Sequence, residues 1–75
     1  MDDDEILLGI GKRIRHFRER RGLTQEDLAH GCGLNRSYIS DIECGRRNVA
    51  ILNLNAIAGQ LNVKLYRLMP DFPLK

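Results

Sequence analysis

The chain has little of what small secreted or metal-stapled proteins rely on. Cysteine occurs twice in 75 residues, at Cys32 and Cys44, too few to frame a disulfide scaffold. A zinc site built from His30, Cys32 and Cys44 lacks a fourth ligand and the usual close pairing of ligands. The thiols are therefore read as reduced, Cys32 as a small core filler and Cys44 near the exposed end of a helix, with no metal or cofactor expected. No apolar run approaches twenty residues, which excludes an apolar helix spanning a membrane. The N-terminus is acidic where a secretory signal is basic, so a cytoplasmic protein without membrane contact is expected. A catalytic constellation is missing too. His16 and His30 have no evident nucleophile or paired acid, and a short helical chain offers little pocket, so neither an enzyme nor a small-molecule ligand is expected.

What is present is charge with a strong asymmetry. The formal net charge is +2, yet Asp2, Asp3, Asp4 and Glu5 hold four of the ten acids. The remaining chain carries twelve basic against six acidic side chains, a net of +6. Lys12, Arg13, Arg15, Arg18, Arg20 and Arg21 crowd one predicted helix. Such a balance favours a polyanionic partner, although a solvated basic face has the same composition. At 43% hydrophobic and 29% charged, residues 1–75 are expected to form one small globular domain.

Hydrophobic spacing and stop signals divide the chain. A first helix is predicted over residues 5–21, capped by the aspartates, with Ile6 or Leu7, Ile10, Ile14 and Phe17 on one face. Gly22 ends it. A second, over 25–31, has Thr24 as cap and Asp27 near a capping-box position. Leu28 and Cys32 should face inward, and Ala29 should be small where two helices cross. Gly31 and Gly33 are read as its end, with Leu34 plugging the turn. A third, over 36–44, opens on Asn35, buries Ile39 and Ile42 and closes at Gly45. A fourth, over 51–61, has Leu52, Leu54, Ile57, Ala58 and Leu61 as apolar positions but only Ala50 as cap. A fifth, over 64–69, is stopped by Pro70, and the tail from Asp71 should be extended.

The second and third helices, joined by a tight glycine turn, have the form of a helix-turn-helix whose second helix enters the major groove of DNA. Arg36, Ser37 and Asp41 fall on the face opposite Ile39 and Ile42. Arg36 can reach a base edge, where its fork matches guanine O6 and N7, or it touches phosphate alone. Asp41, one turn on, either accepts from cytosine N4 or pairs with Arg36. Ser37 and Ser40 are further base-reading candidates. For the DNA backbone the candidates are Gln25 and Asn35 at helix starts, then Tyr38, whose alternatives are a thymine methyl or packing on the second helix, and Arg46, Arg47 and Asn48 in the connector. Leu61, Val63, Leu65, Leu68, Met69, Phe72 and Leu74 exceed what one small core needs, so a second copy across a two-fold axis is expected to cover some of them.

The run Ile14…Arg18…Gly22-Leu23-Thr24-Gln25…Leu28-Ala29…Gly33-Leu34…Ile39-Ser40…Ile42-Glu43…Gly45…Arg47…Leu54…Ile57-Ala58…Leu61 resembles the Cro/repressor, or xenobiotic-response-element, helix-turn-helix family. Leu34 to Glu43, followed by Arg47-Asn48, is similar to the controller proteins of restriction–modification systems, small dimers without a sensor domain that regulate the restriction genes and themselves. Phage Cro proteins share these traits, as do antitoxins that neutralise a toxin by contact. The resemblance implies an all-α, five-helix, lambda-repressor-like fold with the helix-turn-helix in helices 2 and 3. It implies double-stranded DNA, a second copy and, as a further candidate, RNA polymerase as partners. It also implies that Arg18 and Glu43 form a partly buried ion pair that is structural rather than DNA-reading. Where many members have Pro then Ser or Thr, this chain has Val49-Ala50, and where several controllers have Gly it has Asp41.

Overall fold

The computed structural model describes residues 1–71. Its elements are α1 (Asp3–Arg20), α2 (Gln25–Cys32), α3 (Arg36–Glu43) and α4 (Ile51–Leu61), followed by a 3-10 turn over Leu65–Leu68. Among the described residues the chain is all-helical, without strands.

Each boundary has a local cause. α1 begins two residues earlier than the spacing predicts because Asp2 is itself the cap. Its Oδ1 accepts from Glu5 N at 2.8 Å, and Glu5 Oε1 accepts from Asp2 N at 3.1 Å, a reciprocal box. Asp3 and Asp4 then lie in the first turn, where the helix dipole favours acid. Thr24 and Asp27 form the same box at α2, at 2.9 and 3.0 Å. Asn35 Oδ1 caps α3 by accepting from Tyr38 N at 3.2 Å. Ala50 supplies no side-chain cap to α4.

The turn into α3 needs a left-handed residue, and Gly33 at φ +69° provides it. Gly31, expected to help end α2, lies within it. Asn62, at φ +57°, ends α4 in the left-handed region that asparagine tolerates. The predicted fifth α-helix is instead the four-residue 3-10 turn. Asn62 closes the chain behind it, and Pro70 excludes the helical region for Met69, which is extended at ψ 137°. The expectations for the tail beyond Asp71 lie outside the described residues.

The core joins Ile10, Ile14 and Phe17 of α1, Leu28 and Ala29 of α2, Ile39 and Ile42 of α3, and Leu54, Ile57, Ala58 and Leu61 of α4, with Leu68 beneath. Cys32 and Leu34 are half-buried against it. Leu52, expected among the apolar positions of α4, points out of it and is 78% exposed, as is its neighbour Ile51 at 61%.

Candidate nucleic-acid interface

The frame that presents α3 is held by charge as well as packing. Arg18 of α1 grips Glu43 at the end of α3 with two parallel bonds: Nε to Oε2 at 2.6 Å and the second guanidinium nitrogen to Oε1 at 3.0 Å. Its third nitrogen donates to the Leu23 carbonyl at 2.8 Å, tying in the turn before α2. The two side chains are 10% and 3% exposed. The bond from Glu43, with its nearby charge, raises the Arg18 pKa above its ordinary value against the opposing effect of burial. Gln25 joins the cluster by donating from Nε2 to Glu43 Oε1 at 3.1 Å. One carboxylate thus links α1, α2 and α3.

Gly11 is a contributor the sequence reading missed. A Cβ there would run into the Ile42 carbonyl oxygen and lie 2.6 Å from that of Glu43. α1 and α3 therefore touch backbone to backbone at the point where Arg18 ties them. Glycine inside a predicted helix carries no local signal of a tertiary crossing.

With Ile39 and Ile42 buried, the outer arc of α3 consists of Arg36 and Ser37, exposed, and Ser40 and Asp41, half-exposed. Arg36 makes no hydrogen bond or ion pair with any described residue, leaving its fork open to a ligand. Asp41 faces a different arginine from the one expected: its Oδ1 is 3.5 Å from Arg46, whose backbone N–H donates to the Asp41 carbonyl at 2.9 Å. Arg46, Arg47 and Asn48 are exposed just beyond. Arg47 lies over the Tyr38 ring, 4.9 Å from its centroid, and Tyr38 is half-buried.

The helix-start candidates are partly committed. Asn35 uses its side-chain carbonyl as a cap, leaving its amide NH2 to project. Gln25 leans on Glu43, so an anion there would meet chiefly the unpaired backbone N–H groups of the first turn of α2. Among the arginines of α1, Arg15 pairs with Glu19 at 3.2 Å on the solvent face. Arg13 donates to the Pro70 carbonyl at 2.9 Å.

The expected second-copy surface divides. Leu61 and Leu68 are buried within this chain at 2% and 0% exposure. The helix that bears Leu61 and the short turn that bears Leu68 both aim these side chains inward, so neither can face a partner. Val63, Leu65 and Met69 are half-buried, and Phe72 lies outside the described residues. The exposed stripe is one the sequence reading left out: Leu52, Asn55, Ala56 and Gly59 of α4, all exposed at helical spacing.

The helix-turn-helix family model matches residues 14–68, from the middle of α1 through the 3-10 turn. The chain belongs to the helix-turn-helix family. Within it, the likeness is to restriction–modification controllers. The control protein C.BamHI of Bacillus amyloliquefaciens is 42% identical over 62 residues, covering 81% of this chain and 76% of that one. The crystal structure of the controller C.AhdI from Aeromonas hydrophila superposes with a TM-score of 0.81 at 40% identity, over 83% of this chain and 94% of that one. The biofilm regulator SinR, solved in complex with DNA, superposes with a TM-score of 0.75 at 33% identity, over 79% and 95%. The chain spans 64% of the length of a hypothetical transcription factor of Neisseria meningitidis and 39% of that of the immunity repressor of Bacillus phage phi105, matched at 37% and 43% identity.

Proposed function

We propose that residues 1–75 form a single DNA-binding unit and act as a sequence-specific transcription regulator of double-stranded DNA, the controller of a restriction–modification system and of its own gene. The observation that carries this reading is the outer arc of α3. A short helix fixed at both ends presents an uncommitted arginine and three small polar residues, with Arg46, Arg47 and Asn48 beside them. Arg36 reads a guanine edge, with Ser37, Ser40 and Asp41 adjoining. The connector, the start of α2 and Asn35 hold phosphates.

The protein acts as a homodimer on a palindrome. Small modules bind weakly alone, and the α4 stripe is where a second copy fits. It begins with a leucine that is 78% exposed and continues through Ala56 and Gly59, whose missing bulk lets another helix approach. Two α3 helices then lie about 34 Å apart, one turn of DNA. With the operator beside a promoter, RNA polymerase is the further partner.

The test is a footprint of the purified protein on DNA upstream of its own gene, across a salt titration. A protected palindrome with log K falling steeply against log salt is expected. No protection at low salt would refute autoregulation and turn attention to a protein partner such as a toxin.

A further inference from the structure

We infer that Asn53, in the first turn of α4, is a positioning residue for DNA binding that acts through Tyr38 on Arg47. Asn53 Nδ2 donates to the Tyr38 hydroxyl at 3.1 Å, a contact from α4 to α3 that crosses the basic connector. The other feature of the same ring is its face, on which the Arg47 guanidinium rests. Both Asn53 and Tyr38 are half-buried, whereas Arg47 is exposed. The inner end of the tyrosine is thus fixed by α4 and its outer surface holds a cation at the edge of the recognition helix.

Long arginine side chains lose rotamer freedom when they grip a phosphate. A guanidinium already held over an aromatic ring has given up part of that freedom beforehand, through a cation–π contact that leaves its N–H edge pointing outward. The hydroxyl matters because its bond to Asn53 fixes the end of a ring that is otherwise held only by its packing on the core. A side chain of α4 with no position on the outer arc of α3 therefore contributes to affinity. The inference rests on the DNA-binding reading above.

The experiment measures affinity for a labelled mixed-sequence duplex, whose phosphates suffice because the contact is with the backbone. Wild type is compared with Asn53→Ala, Tyr38→Phe, Arg47→Gln and the Asn53→Ala/Arg47→Gln double variant. Asn53→Ala and Tyr38→Phe should each weaken binding about five-fold, the scale of one neutral hydrogen bond. Arg47→Gln should lower the salt slope by about 1, and in its background Asn53→Ala should change nothing further. A purely structural role for Asn53 would weaken binding equally in both backgrounds and would overturn the inference. So would wild-type affinity in Tyr38→Phe, a substitution that removes a single hydroxyl and is informative even if Asn53→Ala does not fold. Absence of any binding by the wild type, even at low salt, would remove the DNA-binding reading itself and this inference with it.

Discussion

At the scale of single residues, the two kinds of arginine on this molecule differ in what their loss does. Arg18 is buried and matched to Glu43. Replacing it with alanine strands a carboxylate that is 3% exposed, at a cost of about 3–5 kcal/mol. A large drop in melting temperature is expected, with DNA binding failing as a consequence. An Arg18→Ala variant that melts like wild type but no longer binds DNA would show that the pair is functional instead. The residue types of this pair were legible because the resemblance supplied their roles, and no local pattern would join positions 25 apart. The partner of Asp41 was not legible. Arg36 and Arg46 both lie within reach of it by spacing alone, and the turn at Gly45 brings Arg46 back beside the helix.

At the scale of elements, α2 depends on its cap. The Asp27 carboxylate accepts from the Thr24 backbone and is hydrogen-bonded to its side chain, and these bonds hold its pKa below the ordinary 3.8. A carboxylate whose folded pKa is depressed stabilises the fold above the unfolded value and loses that contribution as pH falls through the folded one. Asp27→Ala should therefore be less stable than wild type near pH 7, and the gap should close as pH falls below about 4. Chemical denaturation at both pH values checks this, and a gap unchanged by acid would contradict it.

The crossing of α1 and α3 makes a second demand. Gly11→Ala should lose about 2 kcal/mol from overpacking against backbone carbonyls, outweighing the roughly 1 kcal/mol gained in helix propensity. Denaturant midpoints decide, and a stabilised variant would show that the helices can part. The first three α-helices were readable because caps, glycines and apolar spacing agree there, and α4 was readable from apolar spacing alone, since Ala50 supplies no cap and Asn62 ends it. Gly11 was not readable, since a crossing is a tertiary fact. The fifth element is shorter than the spacing predicts because only seven residues separate Asn62 from Pro70, and with Lys64 and Met69 both extended a single four-residue turn fits between them.

At the scale of the whole molecule, the proposed dimer is tested at the outward face of α4. Leu52→Glu should change the folding free energy of the single chain by no more than about 0.5 kcal/mol while sedimentation shows a single copy and the palindrome is no longer bound cooperatively. Retention of a dimer would place the interface elsewhere. The sequence pointed instead to apolar residues from Leu61 to Leu74, of which Leu61 and Leu68 are buried in this chain's own core. It could not distinguish apolar residues that close a core from those that meet a partner, because both follow the same periodicity until the packing of α1 against the end of the chain is known.

Base reading by α3 is the step on which the proposed function rests. The most direct measurement is the ratio of affinities for the footprinted duplex and a scrambled duplex at one salt concentration, for wild type and Arg36→Ala. The ratio should fall at least about ten-fold for each half-site, in keeping with the loss of one bidentate base contact, while affinity for the scrambled duplex changes little. An unchanged ratio, with both affinities falling together, would mean that Arg36 grips phosphate alone and that α3 does not read sequence through it.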